Sequence, residues 1–458
     1  MEFIKEEDFK KTLFSQRTFF QTEKSLSLTF RKEALKSLKN KILQEESRIA
    51  EALKMDLNKS FEEAYLTEIS IVLQEIDYHL SNLSSWSKKK RIRTPLQLKP
   101  SKSYITPEPL GVALIISPWN YPFQLSINPL IGAISSGCCA IVKVSPHAPK
   151  TAEIVDEIIK HCFEAEHITV VQGDKHEMQF ILKEKFDIIF FTGSTHVGRI
   201  VMISAAEHLT PVVLELGGKS PCIVDESAKI NLAAKRIAWS KTLNAGQTCI
   251  APDFVLVHES VKEALISNMK VALNDLFGKD PSKNLHYSRI IHKEAFIRLT
   301  QFLGQGEIRI GGVVDEDTRY ISPTVIEIEE LDSPIMNEEI FGPILPIITY
   351  SDAEEMVKLL KKMEKPLAAY YFGDTHKGKK IFERLSFGGG CINDGIIQIA
   401  NHHLPFGGVG NSGQGRYHGK ASFDVFSNMK GIVISSQWVD LPFRYPPYKF
   451  FKWIRKII

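Results

Sequence analysis

The sequence has little of what marks secreted, membrane-spanning or nucleic-acid-binding proteins. Its longest apolar runs, such as residues 112–116, are far shorter than the stretch needed to span a bilayer. Residues 1–8 are acidic and lack an apolar core, so no secretory signal is expected there. The net charge is only +3, and the body of the chain holds no arginine-rich or aromatic-interleaved basic stretch. Nucleic acid is therefore not an expected partner.

Cysteine is scarce and unpatterned. The chain has 458 residues and six cysteines, whose spacing fits neither a disulfide framework nor a zinc site. They are Cys138, Cys139, Cys162, Cys222, Cys249 and Cys391. A reducing, cytoplasmic location is predicted. The adjacent histidines His402 and His403 have no third ligand at a suitable spacing, so no metal site is predicted either.

What the chain does have is the composition of a globular protein, with 43% apolar and 24% charged residues. Its length predicts two or three domains. Residues 24–57 show the helical spacing of leucine and isoleucine, and a second helical stripe runs over residues 69–83. From Gly111, short apolar runs alternate with stretches of helical length, which is the pattern of a parallel sheet covered on both faces.

Five apolar runs predict the strands of a first, doubly wound sheet of the dinucleotide-binding type. They are residues 112–117, 140–144, 168–171, 187–191 and 212–216. A second series after Pro221 predicts strands at residues 254–257, 344–349, 368–372 and 391–393. Residues 309–312 and 315–324 are predicted to be loops. The fold class is therefore α/β, with two doubly wound α/β domains: a Rossmann-like nucleotide domain and a thiol-bearing catalytic domain.

Cys249 lies where a loop feeds the second series of strands, a place where reactive groups are often presented. Taken alone, it fits better as a buried thiol that packs like a small hydrophobe, because reactive thiols need a special environment. Two other residues stand near the ends of predicted strands, where ligands gather in parallel sheets. Asn120 is equally a turn residue, and Glu215 is either a surface acid or a base with a raised pKa.

A turn after the predicted strand at residues 187–191 has the outer glycines of a dinucleotide-binding loop. Gly193 and Gly198 are five residues apart, but Thr195 stands at the position of the middle glycine. On spacing alone, a strand, turn and helix without a ligand fits equally well. Lys143, at the end of an earlier strand, is on the same grounds an ordinary exposed lysine.

Three stretches together resemble the aldehyde dehydrogenase superfamily. They are Asn-Tyr-Pro from Asn120, Glu-Leu-Gly-Gly-Lys-Ser-Pro from Glu215, and Gly-Gln-Thr-Cys ending at Cys249. The resemblance covers nearly the whole chain. Further stretches are similar to the class 3 branch, which includes fatty and aromatic aldehyde dehydrogenases. They are residues 208–211, 246–252, 404–410 and 417–423.

The resemblance implies an enzyme that oxidises a medium- or long-chain aliphatic or an aromatic aldehyde to the carboxylic acid with NAD. Cys249 would be the nucleophile that forms a thiohemiacetal and then a thioester. The Asn120 side chain and the Cys249 main-chain N–H would form an oxyanion hole, and Glu215 would assist hydrolysis. The residues implied in cofactor binding are Lys143, Gly193, Ser194, Thr195, Gly198, Glu339 and Phe341. Apart from the resemblance, Glu339 and Phe341 also fit a helix end closed by Gly-Pro.

The chain departs from the family pattern after Lys143. Members of the family generally have Lys-Pro-Ser-Glu, whose lysine and glutamate contact the adenosine ribose. Here Val144 and Pro146 occupy the positions of the proline and the glutamate. Without that carboxylate, a 2′-phosphate on the ribose meets less repulsion, and the lysine still attracts it. NADP is therefore expected to be accepted alongside NAD.

The domain organisation combines these assignments with the resemblance. Residues 1–95 and 109–218 are predicted to form a dinucleotide-binding domain, and residues 219–425 a catalytic domain. Residues 96–108 and 426–440 are predicted to form a small β bridging element, and residues 441–458 a basic, aromatic C-terminal arm. The resemblance also implies a homodimer. The composition of the arm predicts either a peripheral contact with anionic membrane lipid or packing on the partner subunit.

Two other functions fit part of the same evidence. An acylating dehydrogenase would pass the thioester to coenzyme A rather than to water, but a base at Glu215 favours hydrolysis. A binding or structural protein that keeps the fold without turnover is expected to lack Cys249 or Glu215, and both are present.

Overall fold

The computed structural model describes residues 3–330, 332–440, 442–448 and 451–455. Within them, the strands are β1 (Lys90–Ile92), β2 (Lys102–Pro109), β3 (Val112–Ile116), β4 (Cys139–Val144), β5 (Ile168–Gln172), β6 (Ile188–Thr192), β7 (Val212–Glu215), β8 (Pro221–Val224), β9 (Phe254–His258), β10 (Glu307–Ile310), β11 (Val314–Asp315), β12 (Tyr320–Ile321), β13 (Thr324–Glu327), β14 (Ile344–Tyr350), β15 (Ala368–Phe372), β16 (Gly389–Ile392), β17 (Gly413–Gln414) and β18 (Ser427–Ile434). The α-helices are α1 (Glu6–Gln21), α2 (Leu28–Gln44), α3 (Glu46–Leu57), α4 (Phe61–Ala64), α5 (Ser70–Trp86), α6 (Gln124–Ser136), α7 (Pro149–Cys162), α8 (Lys175–Ile181), α9 (Thr195–Ala206), α10 (Ile230–Thr242), α11 (Lys262–Phe277), α12 (Lys293–Gln301), α13 (Ala353–Leu360), α14 (Thr375–Arg384), α15 (Lys420–Val425) and α16 (Phe451–Ile454).

The predicted helix over residues 24–57 is two helices in the structure. α2 begins after Ser27, whose hydroxyl caps its first turn. The helical backbone is then interrupted at Glu45, before α3 begins. The apolar stripe continues across this break, because Ile42 and Ile49 are both fully buried, and periodicity alone does not reveal the interruption. The second predicted helix is confirmed as α5.

The first sheet has six strands in the order β17-β7-β6-β3-β4-β5 and is parallel except for β17, which pairs antiparallel with β7. All five predicted strands are confirmed to within one residue at each end. β3, β4 and β6 are buried at every residue, which explains why their sequences are apolar apart from Lys143 and Thr192 near the carboxyl ends of β4 and β6. Helices α2, α3, α5, α6 and α7 pack on one face, and α1, α8 and α9 pack on the other. The doubly wound arrangement is confirmed.

The second sheet has seven strands in the order β10-β13-β14-β9-β8-β15-β16 and is parallel except for β10. Its four predicted strands are present as β9, β14, β15 and β16. The sequence does not predict β8, because four residues after a glycine-rich turn are too short a run to stand out. The loops predicted at residues 309–312 and 315–324 are wrong in part. β10 reaches Ile310, β11 pairs with β12, and β13 begins at Thr324.

A third, antiparallel sheet has the order β1-β2-β18. Ile105 of β2 pairs with Lys90 of β1 on one side and with Gly431 of β18 on the other. β2 and β18 fall in the segments predicted to form the bridging element. The predicted domain boundaries stay a prediction, and β17 lies within residues 219–425 while pairing with the first sheet.

Three further observations concern the helices, the cysteines and the C-terminal arm. No helix among the described residues is both long and apolar enough to cross a membrane. All six cysteines are free thiols. Of the predicted C-terminal arm, residues 441, 449, 450 and 456–458 lie outside the described residues, and the rest includes α16 and a 3₁₀ turn at Pro442–Arg444.

Candidate active site

Five of the predicted site residues come together where the first sheet meets the second. Asn120 follows β3, Glu215 ends β7, and Cys249 precedes β9. Glu339 and Phe341 precede β14. The carboxyl ends of β3 and β7 therefore face the segments that lead into the second sheet, and the carboxyl edge of a parallel sheet is where ligands bind.

The loop that carries Cys249 has an unusual backbone conformation. Asn244 and Ala245 have φ angles of +52° and +50°, in the left-handed region that residues with a side chain rarely occupy. Such residues cost on the order of 1–3 kcal/mol each and persist only where their surroundings fix them. Here the Asn244 N–H donates to Glu63 Oε1 at 2.7 Å, and the buried Gln247 side chain donates to the Asn244 carbonyl at 3.0 Å. The loop is therefore held rigidly, and Cys249 is partly exposed on it.

Asn120 is buried against this loop. Its side-chain Nδ2 donates to the carbonyl oxygen of Gln247, two residues before Cys249, at 3.1 Å. Its main-chain oxygen accepts hydrogen bonds from Asn244 Nδ2 at 2.8 Å and from Lys59 Nζ at 3.0 Å. Both the main chain and the side chain of Asn120 are thus fixed relative to the thiol loop.

Glu215 is almost completely buried, and neither of its carboxylate oxygens has a hydrogen-bond partner among the described residues. Burial raises the pKa of this carboxyl well above its ordinary value, and the positive charge of Arg416 opposes only part of the rise. The Glu215 charge in turn raises the pKa of the Cys249 thiol, so the two groups are electrostatically coupled. A buried carboxyl without a donor is unusual in proteins and marks a place for water or a ligand.

The surroundings of the Cys249 thiol raise its pKa and so favour the protonated form. Burial raises its pKa, and the charges of Glu339 and Glu215 raise it further. The main-chain N–H groups of Cys249 and Ile250 act in the opposite direction. Because the thiolate is the nucleophilic form, a base must take the thiol proton before the sulfur reacts.

Glu339 is seated against the turn that follows β7. A Cβ atom on Gly217 would lie only 1.8 Å from Glu339 Oε2, so the carboxylate fits there because residue 217 has no side chain. Burial raises the pKa of Glu339 to about 8, and the charge of Asp253 contributes to the rise. Phe341 has a φ angle of +53°, and its ring meets Trp119 edge to face with the centroids 5.4 Å apart.

Gly193 and Gly198 lie where α9 packs closely on the first sheet. A Cβ atom would lie 2.6 Å from the Phe191 ring at the first position and 2.7 Å from Leu216 Cδ2 at the second. Both distances are too short for a side chain. The glycine spacing therefore follows from packing within the chain, and a nucleotide role for this loop depends instead on the helix N-terminus that it forms.

Ser194 and Thr195 begin α9 and use their hydroxyls within the chain. Ser194 Oγ accepts a hydrogen bond from the Val197 N–H at 3.4 Å, and Thr195 Oγ1 donates to the Asn411 carbonyl at 3.1 Å. Lys143, at the end of β4, is 6% exposed, so its interpretation as an ordinary exposed lysine is wrong. Burial lowers the pKa of Lys143 to about 8.

These residues fit a nicotinamide dinucleotide. The N-terminus of α9 supplies main-chain N–H groups of the kind that bind phosphate. Lys143 is the second-last residue of β4, which lies two strands from β6, so Lys143 and the N-terminus of α9 are both at the carboxyl end of the sheet. Glu339, which packs against Gly217, adds a carboxylate next to the thiol. Such a carboxylate can accept hydrogen bonds from ribose hydroxyls. A dinucleotide lying along this end of the sheet would therefore meet all three features.

The sequence gives no signal for several charged residues around the site. Lys59 and Glu68 form a fully buried ion pair with a 2.6 Å separation, and Glu63 holds the thiol loop at Asn244. Lys241 is buried, its Nζ has no hydrogen-bond partner in the described part of the chain, and burial lowers its pKa to about 8. In the sequence these charges look like the solvated faces of helices, and only the tertiary structure turns them inward.

Comparisons with known proteins agree with this architecture. A family model described as the aldehyde dehydrogenase family matches residues 1–432. The 4,4′-diaponeurosporen-aldehyde dehydrogenase of Staphylococcus aureus (strain NCTC 8325 / PS 47) is 47% identical over 446 residues, covering 96% of this chain and 97% of the relative. The aldehyde dehydrogenase, dimeric NADP-preferring, of Canis lupus familiaris is 40% identical over 434 residues, covering 94% and 96%. The solved substrate-bound state of Staphylococcus aureus AldH superposes with a TM-score of 0.96 at 46% identity, covering 98% of this chain and 99% of that one.

The fold and the matches define an oxidoreductase built from two α/β units. The chain belongs to the aldehyde dehydrogenase family, in its class 3-like branch. It is an enzyme that oxidises aldehydes with NAD or NADP as the acceptor. The resemblance stated from the sequence is confirmed.

Proposed function

We propose that Cys249, Asn120 and Glu215 carry out the oxidation, and that the substrates are medium- or long-chain aliphatic or aromatic aldehydes. The observation that supports these roles most strongly is a partly exposed thiol coupled to a buried carboxyl whose oxygens lack partners among the described residues. Thiol addition makes hydride loss feasible, because the tetrahedral adduct carries the negative charge that a free aldehyde lacks.

In the first step, Cys249 Sγ bonds to the aldehyde carbon and gives up its proton. Glu215 and Glu339, whose charges both act on the thiol, can receive that proton when they are ionised, and the raised pKa of each makes its carboxylate the stronger base. The carbonyl oxygen becomes an oxyanion. The Asn120 amide uses one N–H for the Gln247 carbonyl, and its second N–H is available to the oxyanion together with the Cys249 main-chain N–H.

The second step turns the adduct into a thioester. The nicotinamide of a bound dinucleotide supplies the hydride acceptor. Asn120 and the Cys249 main chain hold the oxygen while its charge returns to form the carbonyl, and the sulfur stays bonded to the carbon. The aldehyde carbon is thereby oxidised by two electrons, and the acyl group remains on the enzyme.

In the third step, water hydrolyses the thioester. Glu215 takes a proton from the water, whose oxygen bonds to the acyl carbon as the bond to Cys249 Sγ breaks. The sulfur recovers a proton and the carboxylic acid leaves. The unpartnered oxygens of Glu215 support this role, because a water molecule there would satisfy a buried acceptor that the chain leaves open.

For the dinucleotide, we propose binding by Lys143, by the α9 N-terminus with Gly193, Ser194, Thr195 and Gly198, and by Glu339 and Phe341. Lys143 would contact the adenosine ribose, and Glu339 the nicotinamide ribose. Pro146 leaves no carboxylate to repel a 2′-phosphate, which supports use of NADP as well as NAD. The relative named as NADP-preferring supports the same proposal.

The substrate class is supported by apolar side chains exposed near the thiol loop. One group lies on or just after α4, which Glu63 ties to the loop through Asn244, and another lies on α10, which leads into the loop. The exposed residues are Phe61, Leu66 and Trp239. We infer that these residues border the path of the substrate, which would favour a long hydrocarbon chain over a short polar one.

An aldehyde panel with each dinucleotide tests both proposals. With hexanal, decanal, hexadecanal and benzaldehyde, kcat/KM should rise from hexanal to decanal, because each added methylene contributes about 0.8 kcal/mol when buried. NADP should support oxidation within about a hundredfold of NAD, and Lys143→Met should lower the NADP efficiency roughly tenfold more than the NAD efficiency. Reduced dinucleotide is followed by absorbance. A flat chain-length profile would contradict the substrate proposal, and an NAD preference of several hundredfold would discard NADP.

We also propose a cytoplasmic homodimer. Six free thiols fit a reducing compartment. β18 lies at a sheet edge, where Val433 and Ile434 are exposed, and an exposed apolar edge strand readily pairs with another chain. The name of the dimeric relative supports the same assembly.

The C-terminal arm is proposed to touch anionic lipid. It follows the exposed Trp438 and carries the exposed aromatics Tyr445 and Tyr448 with the basic residues Lys452 and Arg455, a mixture suited to a membrane interface. The full chain should float with vesicles containing phosphatidylserine, and a chain ending at residue 440 should not, while both sediment as dimers. Loss of the dimer on truncation, with flotation unchanged, would place the arm on the partner subunit instead.

A further inference from the structure

Lys59 and Glu68 form an ion pair that protein encloses completely. Lys59 Nζ lies 2.6 Å from Glu68 Oε1, and neither side chain has exposed surface. Two charges removed from water are costly to keep, and apolar replacements of such pairs are often as stable or more so. A contribution to stability is therefore a weak explanation for this buried ion pair, and its other contacts indicate a different role.

The Lys59 ammonium group holds the turn that follows β3. It donates to the main-chain oxygen of Asn120 at 3.0 Å and lies 3.9 Å from the centroid of the Tyr121 ring. The Tyr121 hydroxyl is 2.7 Å from Thr248 Oγ1, on the residue before Cys249. One buried cation thus fixes two consecutive residues, of which one carries the candidate oxyanion donor and the other touches the thiol loop.

The carboxylate of Glu68 fixes the other side of the same turn. Its Oε2 accepts hydrogen bonds from the main-chain N–H groups of Phe123 at 2.9 Å and Gln124 at 3.1 Å, where α6 begins. Glu68 lies in a π-helical turn, Tyr65–Ile69, and such turns are frequent at functional sites. The Lys59 ammonium group therefore holds Asn120 directly, and Glu68 fixes the start of α6 three residues further along the chain.

We propose that the Lys59–Glu68 pair positions the oxyanion hole, holding Asn120 so that its side-chain amide meets the substrate oxygen at Cys249. The proposal rests on the role proposed above for Asn120. Hydrogen bonds from a charged donor are the strong ones, and a main-chain oxygen that accepts one such bond loses most of its freedom. A donor fixed in advance stabilises the developing charge without reorganising during the reaction.

The test uses a double variant that removes both charges of the pair together. Lys59→Met/Glu68→Gln removes both charges and keeps an acceptor for the N–H groups at the start of α6. The reduction of dinucleotide in the first turnover of this variant, followed by stopped flow with decanal, should slow by roughly thirty- to a hundredfold. This is the loss expected when the Asn120 amide is displaced by about 1 Å. The dissociation constant of the dinucleotide should change by less than about threefold, because the pair touches none of the proposed dinucleotide residues.

A second background separates positioning from general damage. In Asn120→Ala, removing the pair should alter the first turnover by less than about threefold, because the pair acts through that side chain. Lys59→Arg keeps the positive charge but moves the donor and enlarges a fully buried side chain, so it should slow the first turnover, and its melting temperature is measured alongside. The matched control is Arg31→Met, which removes another buried cation from a main-chain oxygen. Arg31 donates to Ser135 O at 2.8 Å near the other end of α6, roughly 18 Å along the helix, and its loss should leave the rate intact.

The outcomes distinguish the two proposals. Equal slowing in the wild-type and Asn120→Ala backgrounds, or a normal first turnover in both Lys59→Arg and the double variant, overturns the positioning role alone. A normal first turnover in Asn120→Ala itself overturns the role of Asn120, and the positioning proposal falls with it. Slowing that disappears in the Asn120→Ala background supports both.

Discussion

Cys249→Ala is expected to lower steady-state aldehyde oxidation by roughly ten-thousandfold or more, because no other group can form the adduct from which hydride leaves. The first-turnover burst of reduced dinucleotide should disappear along with steady turnover. Both phases are measured by stopped-flow absorbance with decanal. The melting temperature should change little, since Cys249 is partly exposed and its loss leaves no large cavity.

The matched control for this variant is Cys162→Ala. Cys162 is also a free, partly exposed thiol, but it ends α7 on the helical layer of the first sheet. Its replacement should leave both the burst and the steady rate within about twofold of the unchanged enzyme. Oxidation that survives in Cys249→Ala at more than about one part in a hundred would exclude a covalent role for that sulfur.

Glu215→Gln is expected to separate the two halves of the reaction. The first turnover should still release about one equivalent of reduced dinucleotide per site, because thiol addition and hydride loss do not need this carboxylate once Glu339 can accept the thiol proton. Steady turnover should then fall roughly a hundred- to ten-thousandfold, because the thioester is hydrolysed slowly when no base activates the water. Intact-protein mass spectrometry after acid quenching should find the acyl group on the enzyme.

The pH dependence follows from the raised pKa of Glu215. A carboxyl is neutral below its pKa and cannot accept a proton there, so steady turnover should rise with pH through that raised value and flatten above it. The residual turnover of Glu215→Gln should lose this rise. Asp156→Asn, which neutralises another buried carboxyl on α7, should keep both the rise and the rate. Normal steady rates in Glu215→Gln would remove that residue from the mechanism.

The five parallel strands of the first sheet were predictable because each is a mainly apolar run between helical stretches, which is what burial on both faces demands. The same criterion misses β8 and β10 to β13. These are short, and β10 is a half-exposed edge strand that pairs antiparallel with β13, so its residues form no continuous apolar run. The break at Glu45 was also out of reach, because the apolar stripe runs through it.

The candidate site was predictable only where chemistry restricts the residue type. A thiol, an amide and a carboxyl near the ends of predicted strands restrict the reactions that the site could catalyse. The resemblance to the family then assigns all three groups to one reaction. Lys59 and Glu68 carry no such signal. The π-helical turn packs against the start of α6 and so directs Glu68 inward, where Lys59 pairs with it, and both contacts depend on the tertiary structure.

The pairing of β17 with β7 has a consequence for how the chain reaches its native state. Gly413 pairs with Glu215, so the edge of the first sheet closes only when a segment almost two hundred residues further along the chain arrives. Contacts between such distant residues form late, because a long loop must be closed before they contribute. A ribosome-bound nascent chain therefore carries the proposed base on an unpaired sheet edge until Gly413 and Gln414 have emerged.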